Sequence, residues 1–321
     1  MKLIIQIPCF NEAENLPQTL AEIPRAIDGV DVVELLVIDD GSTDGTADVA
    51  RAQGVDHVVR HITNRGLAQA FKTGITACLK LGADVIVNTD ADNQYPGAYI
   101  PALVAPILKR EADMVIGDRQ TDRIETFSPT KKFLQRMGSR VVRYVSGTTV
   151  PDAPSGFRAM SRETAMRINI FTSYSYTLET IIQAGKKNLT IAHIPIKTNP
   201  QTRESRLMRS SLDYVLRSAG TILRLFLLYE PLRTFALFSV PFFLIGSVLW
   251  GRFLVLMLMG EAARGSNVQS ILVGSVAIIT GVLIYISGML GEIIAINRQM
   301  HEETLYYLKQ SIFEQDESRD Q

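Results

Sequence analysis

The 321-residue sequence has few cysteines and histidines and no excess of either charge. Two cysteines, Cys9 and Cys78, are too few to predict a disulfide framework, which suits a reducing compartment. The four histidines show no metal-ligand spacing. Lysine plus arginine equals aspartate plus glutamate at 33 each, so we expect no nucleic-acid partner. The first residues show no secretory signal, because the apolar run 3–7 is short and stops at Pro8.

The neutral average hides an apolar carboxy-terminal region. Residues 235–260 and 268–296 are each long enough to span a bilayer, which takes about 20 apolar residues. The link 261–267 is so short that the two spans form a hairpin. Basic residues flank the hairpin on its open side: Arg206, Arg209, Arg217, Arg224 and Arg233 before it, Arg298 and Lys309 after it. The positive-inside rule then predicts a two-span membrane protein whose soluble amino-terminal domain and carboxy terminus are cytoplasmic. The alternative is a pair of buried helices in a soluble protein.

Four segments follow from this pattern. Residues 1–208 form the α/β domain, 209–231 an amphipathic helix, 232–298 the hairpin and 299–321 a polar cytoplasmic tail. The apolar face of the amphipathic helix suits the membrane interface, although such a face can also pack on the α/β domain.

The first 200 residues alternate between strand and helix patterns. Strands are predicted at 3–7, 34–38, 57–61, 83–87, 113–116 and 190–196, with a short strand or turn at 159–160. Helices are predicted at 14–27, 46–53, 66–81, 101–110, 130–146 and 176–184. This order predicts an α/β fold, a mostly parallel sheet with helices on both faces.

An acidic turn follows the apolar strand 83–87. Asp90, Asp92 and Gln94 alternate along it, so a chain leaving the strand can direct all three side chains to one point. Ligands bind at this end of strands in open α/β sheets, and oxygen ligands suit Mg²⁺ or Mn²⁺ with a phosphate completing the coordination. The competing interpretation is a polar turn that caps the helix beginning at Tyr99.

Several short motifs, taken in order, resemble those of glycosyltransferase family 2, in particular its dolichyl-phosphate mannose synthase and polyprenyl-phosphate glycosyltransferase branch. They are residues 7–12 (IPCFNE), 37–46 (VIDDGSTDGT), 64–70 (NRGLAQA), 89–96 (TDADNQYP), 118–119 (DR), 155–158 (SGFR) and 203–206 (RESR). Asn93 stands where the family usually has an apolar residue, and Arg206 where a lysine is common. Neither departure removes a metal ligand or a charge.

The resemblance implies a GT-A fold and assigns residues to three sites. The nucleotide sugar would be held by Pro8, Phe10, Glu12, Asp40, Asp90 and Asp92. The metal, Mg²⁺ or Mn²⁺, would be held by Asp90, Asp92 and Gln94. The acceptor phosphate would be bound by Arg119, Lys132, Arg136, Ser139, Arg203 and Arg206.

The resemblance also assigns catalytic roles to Asp92, Arg119, Arg203 and Glu179. A lipid phosphate arrives ionised, so cations matter more than a strong base. We therefore interpret Glu179 as a positioning residue, with a structural salt bridge as the alternative. The helix carrying Lys132, Arg136 and Ser139 could instead face solvent or lipid headgroups.

The predicted function is metal-dependent, inverting transfer of one sugar from a UDP- or GDP-linked donor to a polyprenyl phosphate at the cytoplasmic membrane face. One alternative is a family member acting on another membrane lipid or glycan. Another is a catalytically silent, membrane-anchored protein that binds nucleotide sugars. The predicted partners are a nucleotide sugar, a polyprenyl phosphate lipid and the membrane, and a homo-oligomer is compatible with the sequence.

Overall fold

A computed structural model describes residues 1–120, 129–170, 176–200, 220, 223–224, 226–259 and 265–319, with side chains from 129–135, 265–268 and 314–319 excepted. The chain divides into two compact units. The sheet unit comprises Met1–Ser218 and Glu302–Gln321, and the helix unit comprises Ala219–His301. Lys132, Arg203 and Arg206, three of the predicted phosphate ligands, have side chains outside the described residues.

The sheet unit contains one seven-stranded sheet in the order β3-β2-β1-β4-β6-β5-β7. Its strands are β1 Lys2–Cys9, β2 Val32–Asp39, β3 His57–Arg60, β4 Val85–Asn88, β5 Met114–Asp118, β6 Arg158–Ser161 and β7 Ile191–Pro195. Only β6 runs antiparallel to its neighbours, β4 and β5, among the strands of this sheet. The predicted mostly parallel α/β architecture is thereby confirmed.

Helices cover the sheet. They are α1 Leu16–Glu22, α2 Thr46–Ala52, α3 Leu67–Lys80, α4 Ile100–Leu108, α5 Pro129–Ser146, α6 Arg162–Arg167 and α7 Tyr176–Lys186. The first strand, β1, is buried from Leu3 to Cys9, because helices pack on both faces of the sheet. Alternate residues such as Leu3, Ile5 and Ile7 join one apolar core with Val85 and Val87.

One predicted helix boundary needs correction, and one helix was not predicted. The helix predicted at 14–27 ends at Glu22, because Ile23 precedes Pro24 and is extended, with ψ at 123°. The short helix α6 was not predicted. Its start is encoded by Ser161, whose side chain accepts a hydrogen bond from the backbone N–H of Thr164 and caps the first turn.

The helix unit is built on α8, Pro231–Leu258, and the first part of α9, Gly265–Arg319. Both helices contain stretches long and apolar enough to cross a membrane, and only 6% and 17% of the most apolar windows are buried. They approach closely at glycines, since a Cβ on Gly246 would lie 2.9 Å from the carbonyl oxygen of Gly274. Small residues permit such packing between apolar helices.

Most of the amphipathic helix predicted at 209–231 lies outside the described residues. Those described between 220 and 229 are helical, and a separate helix begins at Pro231.

Candidate active site

Several predicted site residues follow the carboxyl ends of neighbouring parallel strands and therefore lie at the same end of the sheet, which we call the strand edge. The parallel strands β1, β2 and β4 end at Cys9, Asp39 and Asn88. Because β6 runs the other way, its first residue, Arg158, pairs with Asn88 at the same edge. Four separate loops of the chain therefore meet where ligands bind in open α/β sheets.

The acidic turn keeps its predicted alternation. Asp90, Asp92 and Gln94 are half-buried, whereas the residues between them are buried. Asn93 adopts a positive φ of 55°, and its side-chain amide donates to Glu22 Oε1 at 2.8 Å. In the described chain no side chain caps the 3₁₀ turn Gly97–Tyr99 or α4. The alternative role of this turn as a helix cap therefore finds no support.

The charges of the turn suit a divalent cation. Burial, and then the charge of Asp92, raises the pKa of Asp90 to about 7, although Arg119 and Arg158 oppose the shift. Among the described residues, no group of three His, Cys, Asp or Glu side chains forms a complete metal cage. Two carboxylates and an amide fit Mg²⁺ or Mn²⁺ when ligand oxygens supply the remaining coordination.

Gly156 lies beside the acidic turn and has no side chain to fill the space next to Asp90. A Cβ at this position would lie 3.1 and 3.2 Å from the carboxylate oxygens of Asp90 and 3.0 Å from the Tyr176 hydroxyl. That hydroxyl also accepts a hydrogen bond from Asn88 Nδ2 at 3.0 Å. The sequence contained this glycine within a family motif but did not reveal that its lack of a side chain makes room for Asp90.

Arg119 is held by a residue that the sequence analysis missed. Its Nε and Nη2 donate to the two carboxylate oxygens of Asp152 at 2.7 and 2.9 Å. Only 1% of the Asp152 side chain is accessible, and 16% of the Arg119 side chain. This bidentate pair fixes the plane of the guanidinium beside the turn. The only signal in the sequence was an aspartate in a Pro/Gly-punctuated loop.

Asp40 is occupied by bonds within the protein. Its Oδ1 accepts from the Arg65 backbone N–H at 2.9 Å and pairs with His61 Nδ1 at 2.7 Å. Its Oδ2 accepts from the Gly66 N–H at 2.8 Å. Asp40 thus organises the loop before α3, and its predicted direct contact with a nucleotide stays a prediction.

The other predicted nucleotide-binding residues follow β1. Pro8 and Glu12 are buried, whereas Phe10 is 38% exposed. Glu12 Oε2 accepts a hydrogen bond from Asn15 Nδ2 at 2.9 Å. Asn11 connects this loop to the one after β2, since its Oδ1 accepts from the Thr43 N–H at 2.9 Å. Phe10 therefore remains the accessible side chain of this predicted set.

Three of the predicted acceptor residues, Lys132, Arg136 and Ser139, belong to α5, which packs on α7. Ser139 is buried and Arg136 is exposed on α5. Glu179 on α7 is 1% exposed, which suits a positioning or structural residue better than a base open to solvent. The structure thus gathers Asp90, Asp92 and Arg119 at the strand edge but does not describe the side chains of all predicted phosphate ligands.

A mostly parallel sheet covered by helices, with acidic loops gathered at one end of its strands, is the architecture of the GT-A fold. The chain belongs to the family described as Glycosyl transferase family 2, which it matches over residues 4–168. It is therefore a glycosyltransferase.

Two curated relatives and one solved structure illustrate this membership. An undecaprenyl-phosphate mannosyltransferase of Micrococcus luteus is 30% identical over 206 residues, covering 61% of this chain and 83% of the relative. A dolichyl-phosphate hexose transferase of Haloferax volcanii is 29% identical, covering 64% and 86%. The Mycobacterium tuberculosis glucosyl-3-phosphoglycerate synthase, solved with Mn²⁺ and UDP, superposes with a TM-score of 0.54 at 22% identity, covering 70% and 78%. That last likeness shows the fold alone.

Proposed function

We propose that this enzyme transfers one sugar, with inversion, from a nucleotide sugar to a polyprenyl phosphate at the cytoplasmic face of a membrane. The observation that carries the proposal is the half-buried turn of Asp90, Asp92 and Gln94 beside the Arg119–Asp152 pair. The acidic turn suits a metal–diphosphate, and the Arg119 guanidinium suits a second anion. The names of the two curated relatives support a polyprenyl-type phosphate as that anion.

The donor would bind at the ends of β1, β2 and β4. Asp90, Asp92 and Gln94 would hold Mg²⁺ or Mn²⁺, which when bound stabilises negative charge on the departing nucleoside diphosphate. Gly156 leaves the carboxylate of Asp90 room to face this ligand. The loops after β1 and β2, joined through Asn11, would hold the nucleoside.

The acceptor needs positive charge more than proton removal. A phosphate monoester is already ionised near neutral pH, with a second pKa of about 6. Arg119 is oriented by Asp152 and lowers the repulsion between acceptor and donor anions. Glu179 is buried within α7, where it would position the helix rather than accept a proton.

The apolar helices α8 and α9 would anchor the enzyme where its lipid acceptor resides. Residues such as Leu244, Val248, Ile279 and Leu283 are 59–69% exposed in the helix unit, as lipid-facing side chains would be. The basic residues outside the predicted spans favour a cytoplasmic sheet unit.

The proposal is tested by incubating the purified full-length chain with UDP- and GDP-linked sugars, with and without polyprenyl phosphate. We expect nucleoside diphosphate and a glycosylated lipid phosphate to form together, and only when the lipid is present. Product on another lipid or glycan would replace the acceptor assignment. Donor binding without turnover on any acceptor would indicate the silent, nucleotide-sugar-binding alternative.

A further inference from the structure

The end of α9, which belongs to the sheet unit, packs on the rest of that unit through one face. We define residues 302–313 as the carboxy-terminal clamp. Its contacts come from Glu302, Tyr306, Lys309 and Phe313, whose spacing of four, three and four residues places them on one side of a helix. Glu302 and Phe313, at the two ends, are 5% and 6% exposed. The clamp lies far beyond the family match, which ends at residue 168.

One ion pair and two hydrogen bonds from a lysine fix the clamp to the region around α6 and α7. The Glu302 carboxylate lies 2.9 Å from Lys187 Nζ. Lys309 Nζ donates to the Met166 carbonyl at 3.1 Å and to Asn169 Oδ1 at 2.9 Å. A charge buried as deeply as Glu302 is costly unless it is paired, so the contact is specific to this arrangement.

Two arginines of the α6 region complete the interface. The Arg167 guanidinium lies 4.7 Å from the ring centroid of Tyr306, and that of Arg162 lies 6.0 Å from Phe313. Both distances fall within the range of cation–π attraction. Each of the four clamp residues therefore contacts the sheet unit.

The clamp reaches α7 at two points. Lys187 directly follows this helix, and Asn169 contacts its last turn, since the Asn169 N–H donates to Gln183 Oε1 at 2.8 Å. The Gln183 amide donates back to the Asn169 carbonyl. Lys309, through Asn169, thus holds the part of α7 that lies about 10 Å along the helix axis from Tyr176.

The other end of α7 lies at the candidate active site. The Tyr176 hydroxyl contacts the space at Gly156 beside Asp90, and the Thr177 carbonyl accepts from Arg158 Nη1 at 3.2 Å. A short helix held at both ends moves as one body, so displacement at Gln183 is transmitted to Tyr176 and Glu179. We propose that the carboxy-terminal clamp is part of the transferase machinery, and that Glu302 and Lys309 are positioning residues that set α7 against the active site.

The test compares full-length variants in a lipid bilayer. Glu302→Gln and Lys309→Met remove one clamp charge each, whereas Glu303→Gln changes the exposed neighbouring carboxylate and serves as the matched control. Lys309→Arg tests rescue by charge. We measure hydrogen–deuterium exchange across residues 176–187, nucleoside diphosphate affinity and lipid-dependent kcat. The kcat measurement rests on the proposed function, whereas the exchange measurement does not.

We expect Glu302→Gln and Lys309→Met to increase exchange across α7 and to lower kcat about three- to tenfold, with nucleotide affinity unchanged. Lys309→Arg should recover part of the loss, and Glu303→Gln should match the parent. The double variant Glu302→Gln/Lys187→Met should lower kcat no more than the more damaging of the two single substitutions, because both substitutions remove the same ion pair.

Unchanged exchange, or increased exchange with parental kcat, would overturn the positioning role. Equal effects of Glu302→Gln and Glu303→Gln would do the same. If the parent chain shows no lipid-dependent transfer, the proposed function fails separately. Exchange across α7 then still decides the clamp, because parental exchange in both charge variants would refute it.

Discussion

The sheet unit buries charged side chains and the helix unit exposes apolar ones. In the sheet unit Asp40, Arg158 and Glu179 are at most 3% exposed and lie among bonding partners. In the helix unit Val248 and Leu244 are more than 60% exposed. Buried charge requires partners in a water-facing protein, whereas exposed leucine and valine suit hydrocarbon. The contrast indicates that the two units are adapted to different solvents.

The largest predicted effect is that two introduced cysteines are labelled from opposite sides of the membrane. A cysteine introduced at Ser266, in the first turn of α9 beside the link of the hairpin, should react with an impermeant reagent only from the outer side of the membrane. One introduced at Ser318 should react only from the cytoplasmic side, because the positive-inside rule places the chain ends there. Labelling of both positions from one side would break the contrast between the units.

Loss of a metal carboxylate is the next largest effect. Asp92→Ala should lower kcat on the order of a thousandfold, since a metal contributes several kcal/mol to stabilising transition-state charge. Chelator should abolish parental activity, and Mg²⁺ or Mn²⁺ should restore it. Circular dichroism checks the fold of the variant. A fully active Asp92→Ala protein in chelator would show that catalysis does not depend on a metal at this turn.

Removal of the Arg119 fork should have a smaller effect. A charge-assisted hydrogen bond contributes about 1.5–3 kcal/mol, so Arg119→Ala should lower lipid-dependent turnover roughly ten- to a hundredfold. Arg119→Lys should recover only part, because lysine cannot pair with both oxygens of Asp152.

Glu179→Gln is the matched comparison, and it should lower lipid-dependent turnover less than Arg119→Ala does. Steady-state turnover at saturating nucleotide sugar ranks the variants. A Glu179→Gln variant more damaged than Arg119→Ala would indicate an acceptor hydroxyl activated by a base.

The smallest effect concerns pH. Burial and Asp92 raise the pKa of Asp90 to about 7 in the metal-free protein, so protons compete with the metal below that pH. Apparent Mg²⁺ affinity should fall about tenfold from pH 8 to pH 6, and excess Mg²⁺ should restore activity. Calorimetric titration at several pH values checks this, and an affinity that rises on acidification would contradict the charge assignment.

The sequence predicted the sheet unit in considerable detail because strand and helix periodicities are local signals. All seven strands fall within a few residues of their predicted positions, including the short one at Arg158–Ser161. Its antiparallel direction was not encoded in any local pattern. The end of α1 was not predicted, although the sequence contains a local signal for it. Pro24 disfavours a helical conformation at Ile23, which is extended.

The candidate site was only partly predictable for a different reason. Asp90, Asp92 and Gln94 lie within one turn, where alternation alone indicates a shared direction. The Arg119–Asp152 pair joins residues 33 positions apart, and the clamp joins Lys309 to Asn169 across 140 positions. Such partners depend on tertiary packing, which no local pattern specifies.

We propose above that Asp90 and Asp92 hold a divalent metal together with the donor diphosphate. Electron paramagnetic resonance of Mn²⁺ tests it directly, with and without UDP or GDP, for the parent and Asp92→Ala chains. We predict that one Mn²⁺ per parent chain becomes immobilised when the matching nucleoside diphosphate is added, and that Asp92→Ala loses this signal. Equal Mn²⁺ immobilisation in both proteins would contradict the claim.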